Sequence, residues 1–280
     1  MSVNNLSTEY LKGLQKLDAS YPTYYSVNTI DRAVYLAEMA DRGYRYLQEF
    51  YTTDIEMPLL VLTKQDWEKR TQEMPYGGIY SGNNCIHFPA DIDHQFSNLV
   101  SDIYEKTPTH LKEQLETRIG DENPFIRGFN IFFDGKIVHE LTHVFLRSYS
   151  INFESRWFTE FFCDYSNYAF LKRYIEEYND LLDMQELMPK IAYEGGLPYA
   201  EYTKSADFDR LGFGVGWVNG VWFYCRGMLA ILELYKQEGE GFIVDVVKAY
   251  GEPDEVLVEK IASTKQKLEL WFSEWLKQRQ

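Results

Sequence analysis

The chain reads as α+β: a helix, a small β-sheet, then a long succession of helices. Three observations predict this class. Short β-prone runs are confined to residues 58–88, helical apolar spacing dominates after Asp91, and no repeat or Pro/Gly/Ser-rich tether divides the chain. The 280 residues exceed what one compact core needs, which allows one domain built from two lobes.

The elements follow in order. Residues from about Thr29 to Phe50 carry Ile30, Val34, Leu36, Ala37, Tyr44 and Leu47 near helical spacing and predict an amphipathic helix. Pro58–Thr63 is a short apolar run of the kind that forms a buried strand, and Asp66–Arg70 predicts a helical turn or short helix after it. Met74–Tyr80 and Cys85–Phe88 flank the turn-forming Ser81-Gly82-Asn83-Asn84, which predicts a hairpin. Beyond Asp91 the helices are interrupted near Pro108, Pro124, Gly195–Pro198, Gly212–Gly216 and Gly251–Pro253. The stretch Lys260–Leu276, with Ile261, Leu268, Trp271, Phe272 and Trp275, predicts a closing helix.

Composition narrows the function classes. Hydrophobic residues at 45% and charged residues at 25% are ordinary globular usage and argue against disorder. The net charge of −15 repels phosphate backbones and anionic lipid surfaces, so neither nucleic acid nor membrane is expected as a partner. Aromatics at 16% suit a large core or a cleft that grips peptides or sugars. Cys85, Cys163 and Cys225 are odd in number and lack Cys-x-x-Cys spacing, so no disulfide framework is expected. No basic stretch followed by an apolar run opens the chain, and the expectation is a cytoplasmic protein.

Residues 137–145, Ile-Val-His-Glu-Leu-Thr-His-Val-Phe, carry the chemistry. On a helix, for which Asp134 is available as N-cap, His139 and His143 share one face with Cβ atoms about 5–6 Å apart. Two ring nitrogens then converge on one zinc at roughly 2.0–2.1 Å. Glu140 lies beside that position without ligating; it can take a proton from zinc-bound water and pass it to a leaving amine. A catalytic zinc needs a third protein ligand and an open position. Arg156–Tyr165 is strongly apolar yet places Glu160 and Asp164 at i and i+4, and buried carboxylates need a metal, a cation or a donor. Glu160 is therefore the third-ligand candidate, with Glu154 in the connecting loop as its rival. Asp164 would accept the other ring N–H of His139 or His143. His87 and His94 stand near strand ends without the spacing or partner segment that a second metal requires.

His139-Glu140-x-x-His143, followed by a glutamate in a hydrophobic helix and an aspartate four residues later, resembles the gluzincins, the metallopeptidases that include thermolysin and the zinc aminopeptidases. The resemblance spans roughly residues 60–250 in order of elements and 137–165 in specific motif. The sixteen residues between His143 and Glu160 leave a short loop, Ser148–Ser155, between two antiparallel helices. The resemblance implies one zinc per chain and a single catalytic domain over 1–280 with a zincin-like two-lobed fold. Residues 1–150 would form an upper lobe with a small twisted sheet and the metal helix; residues 151–280 would form a helical lobe supplying the third ligand. It also implies that Tyr224, in Phe223-Tyr224-Cys225-Arg226-Gly227, donates to the tetrahedral oxyanion, as does the tyrosine of the aminopeptidase Tyr-x-Lys-Gly stretch; Arg226 stands in the lysine's place. The aminopeptidase edge-strand glutamate has no counterpart in Tyr76-Gly77-Gly78-Ile79-Tyr80, so that specificity is not carried over. The strand still has backbone groups to pair with an extended peptide or protein substrate. The implied activity is peptide-bond hydrolysis. Its rivals are a catalytically silent zinc- and peptide-binding module, and a zinc hydrolase of non-peptide electrophiles.

Overall fold

The sheet is larger than the sequence pattern predicts. In the computed structural model, which describes residues 9–55, 57–71, 76–91, 104–120, 123–194, 217–251 and 254–277, it has five strands in the order β1-β2-β3-β5-β4. These are β1 (Gln15–Lys16), β2 (Thr23–Tyr25), β3 (Leu59–Leu62), β4 (Tyr80–Gly82) and β5 (Cys85–Pro89). β2 and β5 both run parallel to β3, with Tyr25 and Phe88 opposite Val61, while β1 and β4 close the two edges antiparallel. β3 is buried along its whole length, which is why its apolar run was legible. β1 is two exposed polar residues, and β2 is a three-residue run of Thr and Tyr. Neither carries enough periodicity to be read.

The hairpin is shorter than predicted. β4 begins at Tyr80, not upstream: Gly77 takes φ +98, and Tyr76 lies buried against Trp67 outside any strand. Met74 and Pro75 lie outside the described residues. Gly82 pairs with Cys85, so Asn83 and Asn84 alone make the turn, with φ of 51 and 58. Asparagine tolerates that left-handed conformation, and two such residues match the twist of the strands they join.

By its contacts the chain divides into two units. The first comprises residues 1–96 and 136–150: the sheet, α1 (Ile30–Gln48), α2 (Lys64–Arg70) and the helix of the His-Glu-x-x-His motif, α5 (Ile137–Ser148). The buried residues of α1 are Ala33, Leu36, Ala37, Met39, Ala40, Gly43, Tyr46 and Leu47. Ile30 and Val34, expected among them, are exposed. α1 and α5 approach closely at Gly43, where a Cβ would sit 2.5 Å from Val138 Cγ2. Phe145 of α5 then packs on the rings of Tyr44 and Tyr51.

The second unit comprises residues 97–135 and 151–280. It holds α3 (Thr109–Ile119), α4 (Pro124–Asp134), α6 (Arg156–Arg173), α7 (Ile175–Glu194), α8 (Trp217–Glu238), α9 (Gly241–Gly251) and α10 (Glu255–Lys277). The expected upper lobe ended at residue 150 and included residues 97–135. By their contacts residues 97–135 lie in this unit instead, with α4 packed on α7 and α3 on both. α6, α7 and α8 pack on one another, and Phe162, Tyr165 and Phe242 form part of an aromatic core within this unit. The predicted breaks at Pro108, Pro124 and Gly251 fall at helix ends; those at Gly195–Pro198 and Gly212–Gly216 lie outside the described residues. Among the described residues no helix is long and apolar enough to cross a membrane.

Candidate metal centre

α5 starts at Ile137 with Lys136 at its cap position. The predicted cap, Asp134, is the last residue of α4, because the preceding apolar Pro124–Phe133 run forms a helix of its own. On α5, Val138, Leu141 and Phe145 are buried, and the Thr142 hydroxyl donates back to Val138 O at 2.7 Å. His139 and Glu140 are buried as well, while His143 is partly exposed.

The two imidazoles converge. His139 Nε2 and His143 Nε2 are 3.1 Å apart, with the rings inclined at 74°. Two nitrogens that each ligate a tetrahedral zinc at roughly 2.0–2.1 Å stand about 3.3 Å apart, so this spacing suits a shared ion with little side-chain movement. One ring nitrogen donating to the other gives the same distance. Glu140 Oε1 is 4.0 Å from His139 Nε2. That is close enough to share a site and too far to be part of the pair, as a proton carrier beside a metal requires.

α6 begins after the loop 149–155, close to the loop expected from the sequence, with Ser155 at its cap position. It is buried along most of its length, from Trp157 to Leu171. Glu160 is half-buried on it, and Asp164, one turn on, is buried. Glu154, the rival ligand, is exposed in the loop at φ +60. Among the described residues, the group of His, Cys, Asp and Glu with metal-binding proximity is His139, His143 and Glu160, whose ligand atoms all lie within 4.8 Å of one another. Two imidazoles and one carboxylate are donors of the kind that hold zinc, and three such ligands would leave a coordination position open.

Tyr224 on α8 donates from its hydroxyl to Glu160 Oε2 at 2.9 Å. This contact joins residues 64 apart and was not foreseen from the sequence; the motif around Tyr224 pointed to a substrate oxygen instead. Arg226, two residues on, is buried with its guanidinium carbon 3.4 Å above the Trp271 ring and Nη2 donating to Trp271 O at 3.3 Å. Burial pushes its pKa down to about 10, partly offset by Tyr193. Asn167 extends the polar line of α6 through Glu160 and Asp164 at i, i+4 and i+7, and is buried. The i+7 spacing was the signal available for it.

His87, on β5, is fully buried in a ring of aromatics: it stacks on Tyr80 at 4.4 Å and 4°, and its Nε2 is 2.9 Å from the Tyr10 hydroxyl. His94 lies outside the described residues. Comparison of the chain with protein-family models, curated proteins and solved structures returned no match.

Proposed function

We propose that this chain is a zinc-dependent peptidase, with the metal held by His139, His143 and Glu160 and with Glu140 as the general base. The observation that carries the reading is the proximity of the three candidate ligand atoms, all within 4.8 Å, around a His-Glu-x-x-His motif whose glutamate is buried. A zinc ion there would supply Lewis acidity, making a water more acidic and polarising a carbonyl. Glu140 would accept the proton of the attacking water and return it to the amine nitrogen as the C–N bond breaks. Asp164 is assigned to orienting a histidine ring through its second N–H.

The finer fold assignment, a zincin-like arrangement of a sheet-bearing and a helical part, belongs to the same proposal. The α+β composition and the placement of the motif helix with the sheet and the glutamate helix with the helical bundle support it. The substrate is proposed to be an extended peptide or protein segment. Among the described residues β4 forms one edge of the sheet, with β5 as its neighbour. The edge available to pair with a peptide is therefore Tyr80–Gly82 rather than the whole of Tyr76–Tyr80.

The test is elemental analysis of the purified protein beside Glu160→Ala, followed by a quenched mixed-peptide library with and without chelator. About one zinc per chain, lost in the variant, with chelator-sensitive cleavage, is the expected outcome. No zinc in either protein after equilibration with the metal overturns the reading. One zinc without any cleavage leaves a binding module and overturns the peptidase assignment.

A further inference from the structure

We propose that Tyr224 is a positioning residue for the metal carboxylate: its hydroxyl holds Glu160 in the orientation that presents its other oxygen to zinc. This inference rests on the zinc reading above and replaces the oxyanion role that the resemblance implied for the same tyrosine.

The geometry is specific about which oxygen is engaged. The phenol O–H donates to Oε2 of Glu160 at 2.9 Å, and the oxygen assigned to the metal in this proposal is the other one, Oε1. A carboxylate that ligates through one oxygen keeps a second oxygen that needs a donor, and a donor there fixes the plane of the group. Glutamate carries three rotatable bonds, and a hydrogen bond to one of its oxygens narrows the orientations it samples. A tyrosine hydroxyl has one proton. While it is committed to Glu160 it is not available to an oxyanion, and the two roles exclude one another at any instant.

The partner is held on a rigid element. Tyr224 projects from α8, which packs directly on α6, the helix that carries Glu160. Two residues further along α8, the Arg226 guanidinium stacks on Trp271 and donates to that residue's carbonyl, tying this stretch of α8 to α10. Arginine's planar fork can stack and hydrogen-bond at once, whereas lysine presents a point charge on a flexible stem. Arginine at this position thus serves to anchor the helix that presents Tyr224.

Tyr224→Phe removes the hydroxyl and keeps the ring. Zinc affinity of the full chain, measured by competition with a chromogenic chelator, should fall about 10–100-fold, the usual loss when the hydrogen-bond partner of a metal ligand is removed. Circular dichroism should match the wild type, and saturating zinc should restore full occupancy. Equal zinc affinity in Tyr224→Phe and wild type, with zinc still lost in Glu160→Ala, overturns this inference and leaves the metal centre standing. A wild type that binds no zinc, or a Glu160→Ala variant that keeps it, overturns the centre itself and this inference with it.

Discussion

Two histidine environments in the same unit differ in nearly every physical respect. His139 and His143 lie one turn apart on α5, with ring nitrogens 3.1 Å from each other and one ring partly open to solvent. His87 lies in the sheet with no exposure at all, between the Tyr80 face and the edges of Tyr10 and Trp67. Burial pushes the His87 pKa down to about 4, with Arg70 adding to the effect and a backbone hydrogen bond at Tyr80 opposing it. That histidine is a neutral, stacked part of the core, whereas the pair presents two nitrogens to a common point. Residue type alone does not separate them; helical spacing next to a carboxylate does.

The largest expected effect tests whether the pair is chemical rather than structural. Glu140→Gln keeps the size of the side chain and removes its basicity. Turnover of any substrate found with the peptide library should drop by about 10²–10⁴-fold, the range for losing a general base, with zinc content unchanged. Retained turnover in Glu140→Gln would remove the catalytic half of the contrast.

The next effect belongs to His87 and has a definite sign. An unfolded histidine titrates near pH 6.5, while folded His87 titrates near 4. Between those values the unfolded state takes up a proton that the folded state refuses, so stability is complete above about pH 6.5 and declines as the pH falls toward 4. The slope reaches up to about 1.4 kcal/mol per pH unit. His87→Phe retains a ring to stack on Tyr80 and cannot titrate. Urea melts between pH 4 and 7 should show a flatter stability profile for this variant, and parallel profiles would show that His87 is not the titrating group.

The smallest effect concerns what supports the pair. A Cβ at residue 43 meets Val138, the residue immediately before His139, at 2.5 Å. Gly43→Ala should therefore destabilise by about 1–3 kcal/mol through overpacking, despite alanine's better helix propensity. Adding Val138→Ala should recover part of the loss in a denaturant melt. Gly43→Ala as stable as wild type would mean that α1 and α5 separate without cost.

Much of this was legible in the sequence because it is local. The His-Glu-x-x-His spacing lies within two helical turns, where 3.6 residues per turn makes position and direction almost the same thing. β3 was legible as an unbroken apolar run, and the Asn83–Asn84 turn through the tolerance of asparagine for positive φ. β1 and β2 were not, since exposed Gln15 and Lys16 become a strand only because β2 lies beside them. The N-cap proposed at Asp134 failed for a related reason: two helices meet there, and composition does not mark where one ends.

Sequence by itself determined the α+β class, the helix that carries His139, Glu140 and His143, and the preference for Glu160 as the candidate third ligand. Each follows from short-range periodicity or from the cost of burying a carboxylate among aromatics. Tertiary structure alone decided that residues 97–135 join the helical unit, that Gly43 is where α1 meets Val138, and that the Tyr224 hydroxyl reaches Glu160 across 64 residues of chain. Those depend on which surfaces pack together, and packing is settled by the shapes of many side chains at once.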